Sequence, residues 1–503
     1  MDFDFTSVKG YLQRNRRQFE HMQRSALCAT NNPGRQVLLA TQAVAFASRH
    51  TCGLLNAPQL EAALCNIAQQ HKVPLAAKVL PNSFLHVLTR AYPTGGHTRI
   101  VERWIEASPT SQTHSVVLLS QDRRPVPSLL KEATHTKNGQ LHHMSGFPLE
   151  KALALRELAS SYACIILHTH MYDPVPLLAF GTEDFSTPVL LFNHADHLMW
   201  LGASITDMLV NFNDTRKPLS LERRNITRLY HLPLPVAAPG PFPTLKDKEK
   251  LKNSLDLSPE SKILLTIGRE YKYEPFAGLD FLSTVETILN EAPDAILLAI
   301  GPSPQHPAWA EASRRTKGRI RALGPIPNHQ LGSYLGITDV ALESFPLGSP
   351  TALLDIARNN IPCVSLATPT NEYDAFNAAG IACSTPQEYS ERALSFLKSP
   401  PKTTLLYEII KQEALPEGFG RKLAKLSKNL PVKHHVWSVQ PDTGQNLSSV
   451  ELFNAYNTMQ LPVTKKTMLQ NMVYRSLWCY TRFLYPFGLS RSIYNRLNSY
   501  GLL

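Results

Sequence analysis

The residues best suited to chemistry lie in one short segment that begins at Glu343. An apolar strand at 338–342 leads there into the small residues Gly348, Ser349 and Thr351, and a predicted helix follows. Backbone N–H groups at the start of a helix have no partner within it, so they bind phosphate well. The segment therefore predicts a phosphate site, and an ordinary strand–loop–helix with Pro and Gly in its turn is the alternative.

An acidic residue, Asp355, lies about one turn into this helix, and a second apolar strand follows at 361–366. In other nucleotide-binding βα units a carboxylate near this place reaches a ribose hydroxyl. The segment as a whole thus favours a nucleoside phosphate as its ligand.

Two cations follow the strand predicted at 263–267, at positions Arg269 and Lys272. A guanidinium fork and an ammonium charge at a strand end can neutralise a diphosphate leaving group. The alternative is a solvated charged turn in which Glu270 and Glu274 are the partners.

A third loop, after the strand predicted at 84–88, contains Gly95, Gly96 and His97. Paired glycines let a ligand come close to the backbone. Because the ordinary pKa of histidine is near neutrality, His97 could be the general base for an acceptor hydroxyl. More often, a histidine at such a turn is a structural residue that starts a helix or makes a hydrogen bond.

Further His and Asp residues follow the strands predicted at 163–167 and 188–192; they are His168, His170, Asp173, His194, Asp196 and His197. They could form a metal site or an acceptor pocket of hydrogen-bonding groups. We prefer the pocket, with His170 and His194 as substrate-binding residues, because the ligand spacings of a metal site are missing. No metal is therefore expected.

Short apolar strands alternate with helical segments on both sides of a Pro-rich stretch at 232–243. This alternation predicts an α/β protein with two doubly wound, Rossmann-like parallel sheets. We expect a helical extension at 1–78, a first α/β domain at 79–235, a linker at 236–262, a second α/β domain at 263–430 and a C-terminal segment at 431–503. Ligands of such folds bind at the carboxyl ends of the strands, so we expect a cleft that faces both sheets.

Size and composition agree with two globular domains, since the chain has 503 residues, 43% hydrophobic and 18% charged. The seven cysteines are scattered and match neither a disulfide framework nor a zinc site, which favours a reducing cytosol. The first residues lack the basic and apolar regions of a signal peptide, and no stretch has the length of a membrane span. We expect a cytoplasmic protein.

The formal net charge of +11 favours anionic partners. Residues 463–503 hold six basic residues and no acidic ones, interleaved with aromatics. This pattern fits a segment lying on an anionic membrane face, or a docked terminal helix with solvated Arg side chains. No nucleic-acid recognition module is present, so nucleic acid is not an expected partner.

Residues 80–430 resemble glycosyltransferases of the GT-B fold. The second half is most similar to the O-GlcNAc transferase and HMW1C-type branch, which carries a Tyr-Lys-x-Asp/Glu-Pro loop and a Phe-Pro…Asp segment. The matching residues here are Tyr271-Lys272-Tyr273-Glu274-Pro275 and Phe345-Pro346 with Asp355. Pro350 and Ala352 around Thr351 depart from the tandem Thr of that branch, tetratricopeptide repeats are absent, and the loop at 95–99 is more similar to envelope-type GT-B enzymes.

The resemblance implies a role for each matched residue. Lys272 would contact the donor diphosphate, Ser349 and Thr351 would bind its phosphates, and Asp355 would hold the ribose. Arg269 lies where a polar donor contact is expected, and the backbone from Gly324 to Ile326 would contact the base, which we expect to be uracil.

The resulting hypothesis is a metal-independent hexosyl- or N-acetylhexosaminyltransferase that moves a sugar from a nucleoside diphosphate sugar, favoured as a UDP-sugar, to a protein or glycan. The 79–235 domain would bind the acceptor and the 263–430 domain the nucleotide sugar, with no cofactor besides this co-substrate. One alternative is a nucleotide-sugar epimerase, which would need carboxylates near the sugar, and the Gly348 loop offers none. Another is a noncatalytic partner of a membrane-associated glycosylation complex.

Overall fold

The structure, a computed structural model, describes residues 6–93, 96–122, 124–240, 243–434, 439–445 and 447–460. The chain divides into two compact units. One comprises Leu234–Phe419, and the other comprises the described residues before 234 and after 419.

The first unit along the chain is built on a seven-stranded parallel sheet with the order β3-β2-β1-β4-β5-β6-β7. Its strands are β1 (Leu80–Leu88), β2 (Thr113–Leu118), β3 (Leu141–His143), β4 (Tyr162–His168), β5 (Val189–Phe192), β6 (Met208–Asn211) and β7 (Leu229–His231). Its helices before residue 234 are α1 (Val8–Leu27), α2 (Pro33–Arg49), α3 (Pro58–Gln69), α4 (Gly96–Ala107), α5 (Ser128–Thr136), α6 (Pro148–Ala159) and α7 (Val175–Phe180).

The buried parts of the central strands are mostly apolar because helices cover both faces of the sheet. Leu85 and Val87 of β1 face a large core that includes residues of α1–α3, α6 and α7. Leu88 faces a smaller core with Val101 and Ile105 of α4. The predicted helical extension thus packs on the first sheet as part of its core.

A buried arginine, Arg156 of α6, ties this extension to the rest of the unit. Its guanidinium donates hydrogen bonds to the carbonyls of Ala68 and His71 at the end of α3, and to those of Leu178 and Ala179 of α7. These acceptors satisfy a buried charge that would otherwise be very unfavourable.

The second unit contains a six-stranded parallel sheet with the order β10-β9-β8-β11-β12-β13. Its strands are β8 (Lys262–Ile267), β9 (Ala295–Ile300), β10 (Ile320–Gly324), β11 (Val340–Leu342), β12 (Cys363–Leu366) and β13 (Ala382–Cys383). Its helices are α8 (Leu245–Ser254), α9 (Phe281–Glu291), α10 (Pro307–Arg315), α11 (Leu331–Ile337), α12 (Pro350–Ala357), α13 (Asp374–Ala378), α14 (Pro386–Lys398) and α15 (Leu405–Glu413).

Two later helices follow, α16 (Pro416–Lys428) and α17 (Ser449–Gln460). The chain after residue 419 is fixed to the first sheet's unit by Arg223, which pairs with Asp442 at 2.7 Å and with Glu451 at 2.9 Å.

The two parallel sheets with helices between their strands confirm the predicted α/β class and its two Rossmann-like domains. Each strand predicted from the sequence is present. The segment predicted as a linker, 236–262, contains α8.

Candidate functional site

The predicted phosphate segment folds as a turn between β11 and α12 at the carboxyl edge of the second sheet. Ser349 is the residue before α12, and Gly348 precedes it. A Cβ on Gly348 would lie 2.0 Å from Asn371 Oδ1 and 3.0 Å from Glu343 Oε1. The turn therefore requires glycine at this position.

Three backbone N–H groups of this turn are placed where they could donate hydrogen bonds to an anionic ligand. The N–H of Ser349 donates to Glu343 Oε1 at 2.5 Å. Within the part of the chain that is described, the N–H groups of Gly348 and Thr351 have no hydrogen-bond partner, and Pro350 has no N–H to offer. Two N–H groups are thus open to a ligand, and a third is held by a carboxylate.

Lys272 reaches this turn from the loop after β8. Its ammonium donates a hydrogen bond to the carbonyl of Gly348. Burial lowers the pKa of Lys272 to about 8, with Glu343 opposing this shift and Arg269 adding to it. A cation and the start of α12 therefore lie side by side.

Glu343, directly after β11, is a candidate functional residue that the sequence reasoning did not include in the site. Burial raises the pKa of its carboxyl to about 7, against the opposing effects of the Ser349 N–H and Lys272. Its Oε2 is buried and lacks a hydrogen-bond partner among residues the structure describes. A carboxylate directly after a fully apolar strand was the available signal.

The ends of neighbouring strands approach the turn closely. A Cβ on Gly268, after β8, would lie 3.2 Å from Ser349 Oγ, and a Cβ on Gly301, after β9, would lie 2.1 Å from the Gly268 carbonyl oxygen. Gly301 N–H donates to the carbonyl of Gly324 at 2.8 Å, and Gly324 has a φ of +70°. Backbone thus lines the edge where a ligand would bind.

The remaining predicted donor contacts lie around this edge. Arg269 is exposed, and its charge acts on Lys272. Ile326 is half-buried just after β10, and Asp355 lies in α12, where its carboxylate is 3.8 Å from Arg358. Glu270 accepts a hydrogen bond from the Ser303 N–H at 3.0 Å instead of pairing with Lys272.

In the other unit, the structure brings His97, His170 and His194 together at the carboxyl edge of the first sheet. The ring centroid of His97 is 4.2 Å from that of His194 and 6.3 Å from that of His170. Gly96 is the first residue of α4, whereas Gly95 lies outside the described residues. His170 Nε2 is 3.1 Å from the hydroxyl of Tyr92.

Burial keeps these imidazoles neutral. It lowers the pKa of His97 to about 4, and it lowers that of His170 to about 3. The pKa of His194 is also lowered well below its ordinary value by burial. Neutral rings can exchange hydrogen bonds with a polar ligand.

Over the described ranges, no group of three or more His, Cys, Asp or Glu side chains is arranged to hold a metal ion. No helix there has the length and apolar character needed to cross a bilayer. The basic aromatic segment, 463–503, lies outside the described residues.

Neither a family model nor a curated protein matches this sequence. Solved structures, in contrast, are similar to this chain. HepE of Anabaena, solved with UDP and glucose, is 12% identical with a TM-score of 0.50 and covers 69% of this chain and 100% of that one. An O-GlcNAc transferase mutant of Thermobaculum terrenum is 17% identical with a TM-score of 0.46 and covers 86% of this chain and 82% of that one.

Sucrose-phosphate synthase of Thermosynechococcus elongatus is also similar, at 13% identity and a TM-score of 0.48, over 69% of this chain and 98% of that one. At these identities the similarity concerns the fold. Together with the two parallel sheets, it shows that this chain has the fold of the GT-B glycosyltransferases.

Proposed function

We propose that this protein transfers a sugar from a nucleoside diphosphate sugar, preferably a UDP-sugar, to a hydroxyl of a protein or glycan. The observation that carries the proposal is the placement of the Lys272 ammonium against the turn that starts α12, beside two open N–H groups. The TM-score of 0.50 to HepE, which was solved with UDP and glucose, supports the same donor class.

In this proposal the diphosphate lies at the start of α12. The N–H groups of Gly348 and Thr351 donate to its oxygens, and Lys272 and Arg269 balance the charge that develops on the leaving group. Since two side-chain cations and a helix start supply positive charge, the proposal needs no metal ion. Asp355 and the backbone of 324–326 would hold the nucleoside.

The acceptor hydroxyl would meet the cluster of His97, His170 and His194. A neutral imidazole can take the hydroxyl proton as a general base, and we assign this role to His97. The transferred group, hexosyl or N-acetylhexosaminyl, and the acceptor belong to the proposal. So do a cytoplasmic location and contact of 463–503 with an anionic membrane.

One observation favours a second function. An epimerase of this fold would need an acid or base near the sugar, and Glu343 supplies a buried carboxyl with a pKa of about 7 at the α12 turn. Incubation of the protein with a UDP-sugar alone would separate the functions, because an epimerase converts its donor without an acceptor.

The test of the primary proposal is calorimetry with UDP, followed by a thermal-shift screen of nucleotide sugars. A bound donor should raise the unfolding midpoint by mass action. Failure of UDP and of every nucleotide sugar to bind would exclude both enzymatic functions and favour the noncatalytic partner.

A further inference from the structure

Three buried histidines and one half-buried histidine form one continuous row of hydrogen bonds across the first sheet. They are His114 in β2, His86 in β1, His168 at the end of β4 and His194 just after β5. The strand order β2-β1-β4-β5 makes these positions neighbours. The row crosses the sheet diagonally, from the start of β2 to its carboxyl edge.

Each contact in the row joins an Nδ1 atom to an Nε2 atom. His114 Nδ1 is 3.0 Å from His86 Nε2, and His86 Nδ1 is 3.2 Å from His168 Nε2. His168 Nδ1 is 3.0 Å from His194 Nε2. A neutral imidazole carries one N–H and one lone pair, so all four rings must have the same tautomer.

Which nitrogen donates in each hydrogen bond of the row is determined at the end far from the candidate site. Ser427 of α16 donates its one hydroxyl hydrogen to the carbonyl of Leu423 at 2.9 Å. Its oxygen must therefore accept from Gln112, whose side-chain Nε2 is 2.8 Å away. This orients the Gln112 amide so that Oε1 faces His114 Nε2 at 3.2 Å.

An amide oxygen accepts hydrogen bonds and cannot donate them, so His114 carries its hydrogen on Nε2. His114 Nδ1 then accepts from His86, His86 Nδ1 accepts from His168, and His168 Nδ1 accepts from His194. Every ring in the row is thereby an Nε2–H tautomer. The reverse order would set a lone pair of His114 against the lone pair of Gln112 Oε1 inside the protein, which is unfavourable.

The packing around the row holds the rings in this geometry. Trp104 of α4 lies edge-on to His86 and His168, with centroids 5.8 Å and 6.0 Å away. Phe84 stacks on His114 at 4.9 Å. Because His86, His114 and His168 are each at most 1% exposed, water does not compete for their hydrogen bonds.

The last ring, His194, is left with an unprotonated Nδ1. Among residues that the structure describes, no donor reaches this atom. His194 lines a small pocket together with His170 and Trp200, and the ring of His97 lies against it. On His194 itself, a ligand therefore meets a lone pair of Nδ1 and not an N–H group.

We propose that the row from Ser427 to His194 sets the tautomer of His194, so that its Nδ1 binds an O–H or N–H group of the acceptor substrate. Gln112, His114, His86 and His168 are positioning residues, and His194 is the residue that touches substrate. An oxyanion at this place would face a lone pair, so the row favours a neutral hydroxyl- or amide-bearing acceptor over a carboxylate or phosphate. The acceptor part of this inference rests on the proposed function.

Nitrogen NMR of the full chain labelled with ¹⁵N-histidine tests the tautomers without any substrate. Four rings, assigned by single His→Gln substitutions, should show a protonated Nε2 and an unprotonated Nδ1 at neutral pH. A protonated Nδ1 on any of the four overturns the proposal.

The variants Ser427→Ala and Ser427→Thr test what sets the direction. Without the hydroxyl the Gln112 amide can turn over, so S427A should show signals of both tautomers, whereas S427T should keep the original set. If both directions were equally populated, the apparent affinity for a hydroxyl acceptor would fall about twofold. Donor binding should not change in either variant.

A S427A spectrum identical to that of the wild type would overturn the assignment of Ser427. The spectra do not depend on transfer, so a failed transfer assay bears on the proposed function alone.

Discussion

Replacement of Glu343 by Gln tests whether an anion binds at the start of α12. In the free protein Glu343 Oε1 accepts the Ser349 N–H, next to the open N–H groups of Gly348 and Thr351. A diphosphate in this turn would bring negative charge beside the Glu343 carboxylate, so the complex should favour the protonated acid. Gln keeps an oxygen for the Ser349 N–H and carries no charge.

The size of the effect follows from the pKa of Glu343, which burial raises to about 7. If the protonated form is the one that binds, affinity follows its population, roughly 0.9 at pH 6 and roughly 0.25 at pH 7.5. The dissociation constant of the wild type should therefore rise about fourfold over this range, or ~0.8 kcal/mol. Lys272, with a pKa of about 8, loses little of its charge there, which costs about 1.3-fold.

The assay is calorimetric titration of UDP-glucose at pH 6.0 and 7.5, since its diphosphate does not change charge in this range. Glu343→Gln should lose the fourfold change and keep only the change due to Lys272, whose pKa the Glu343 charge no longer raises. A matched control is Glu270→Gln, a carboxyl in the neighbouring loop that binds the Ser303 N–H and is half-exposed. In this control, the dissociation constant for UDP-glucose should depend on pH as it does in the wild type.

Equal pH dependence in the wild type and Glu343→Gln would refute the reasoning. It would mean that the diphosphate does not lie near the carboxylate, and that the Ser349 turn is a structural feature of the loop.

Three further predictions concern the same unit. Lys272→Ala should lower turnover at least tenfold, because the leaving group loses its buried cation. The control Lys398→Ala, at the end of α14, should leave steady-state kinetics unchanged. Wild-type turnover in K272A would remove Lys272 from the mechanism. Because the folded pKa of Glu343 is raised above its ordinary value of 4.5, its stabilising effect is complete below that value and is lost as pH rises through about 7. Urea unfolding should show the wild type losing about 2.5 kcal/mol relative to Glu343→Gln between pH 5 and 8, and a constant difference would contradict this. Gly348→Ala would set a Cβ 2.0 Å from Asn371 Oδ1, so it should destabilise the unit by about 1–3 kcal/mol and abolish UDP binding. The control Gly332→Ala in α11, where a Cβ has open space, should leave the stability unchanged or raise it slightly. Similar losses of stability in both variants would show that the turn at Gly348 is not tight.

The sequence identified most interior strands of both sheets, although not β6, because parallel strands covered on two faces are largely apolar, as in β9. It missed β3, β6, β7 and β13. β3, β7 and β13 lie at sheet edges and are only two or three residues long. Edge strands bury less surface and carry polar residues, so their sequences resemble loops.

The donor side of the candidate site was predictable in part. The order of strand, small residues and helix predicted the turn at Gly348 between β11 and α12. The spacing of the cations singled out Lys272, whose contact with the donor stays a prediction. The role of Glu343 was not predictable, because its pKa depends on burial and on side chains far away in sequence. Tyr389, for example, covers it by donating its hydroxyl to the Glu343 carbonyl at 2.8 Å.

The histidine row was beyond sequence reasoning for a similar reason. His86 and His114 lie within apolar strands where a single histidine is unremarkable, and 28 residues separate them. The sheet order, which places β2 next to β1 and β1 next to β4, is what joins them to His168. A direction of hydrogen bonding that begins at Ser427 could not be read from any local motif.

The charges around α12 explain why a site of this kind can remain folded without its ligand. Two open N–H groups, a helix start and the ammonium of Lys272 leave positive potential at one place. In the free protein Glu343 supplies the balancing negative charge, and the carbonyl of Gly348 accepts the Lys272 hydrogen bond. An incoming diphosphate would take over this balancing role while Glu343 becomes protonated. The proton taken up on binding would then measure how far the ligand replaces the carboxylate, and calorimetry in buffers of different ionisation enthalpy reports that number directly.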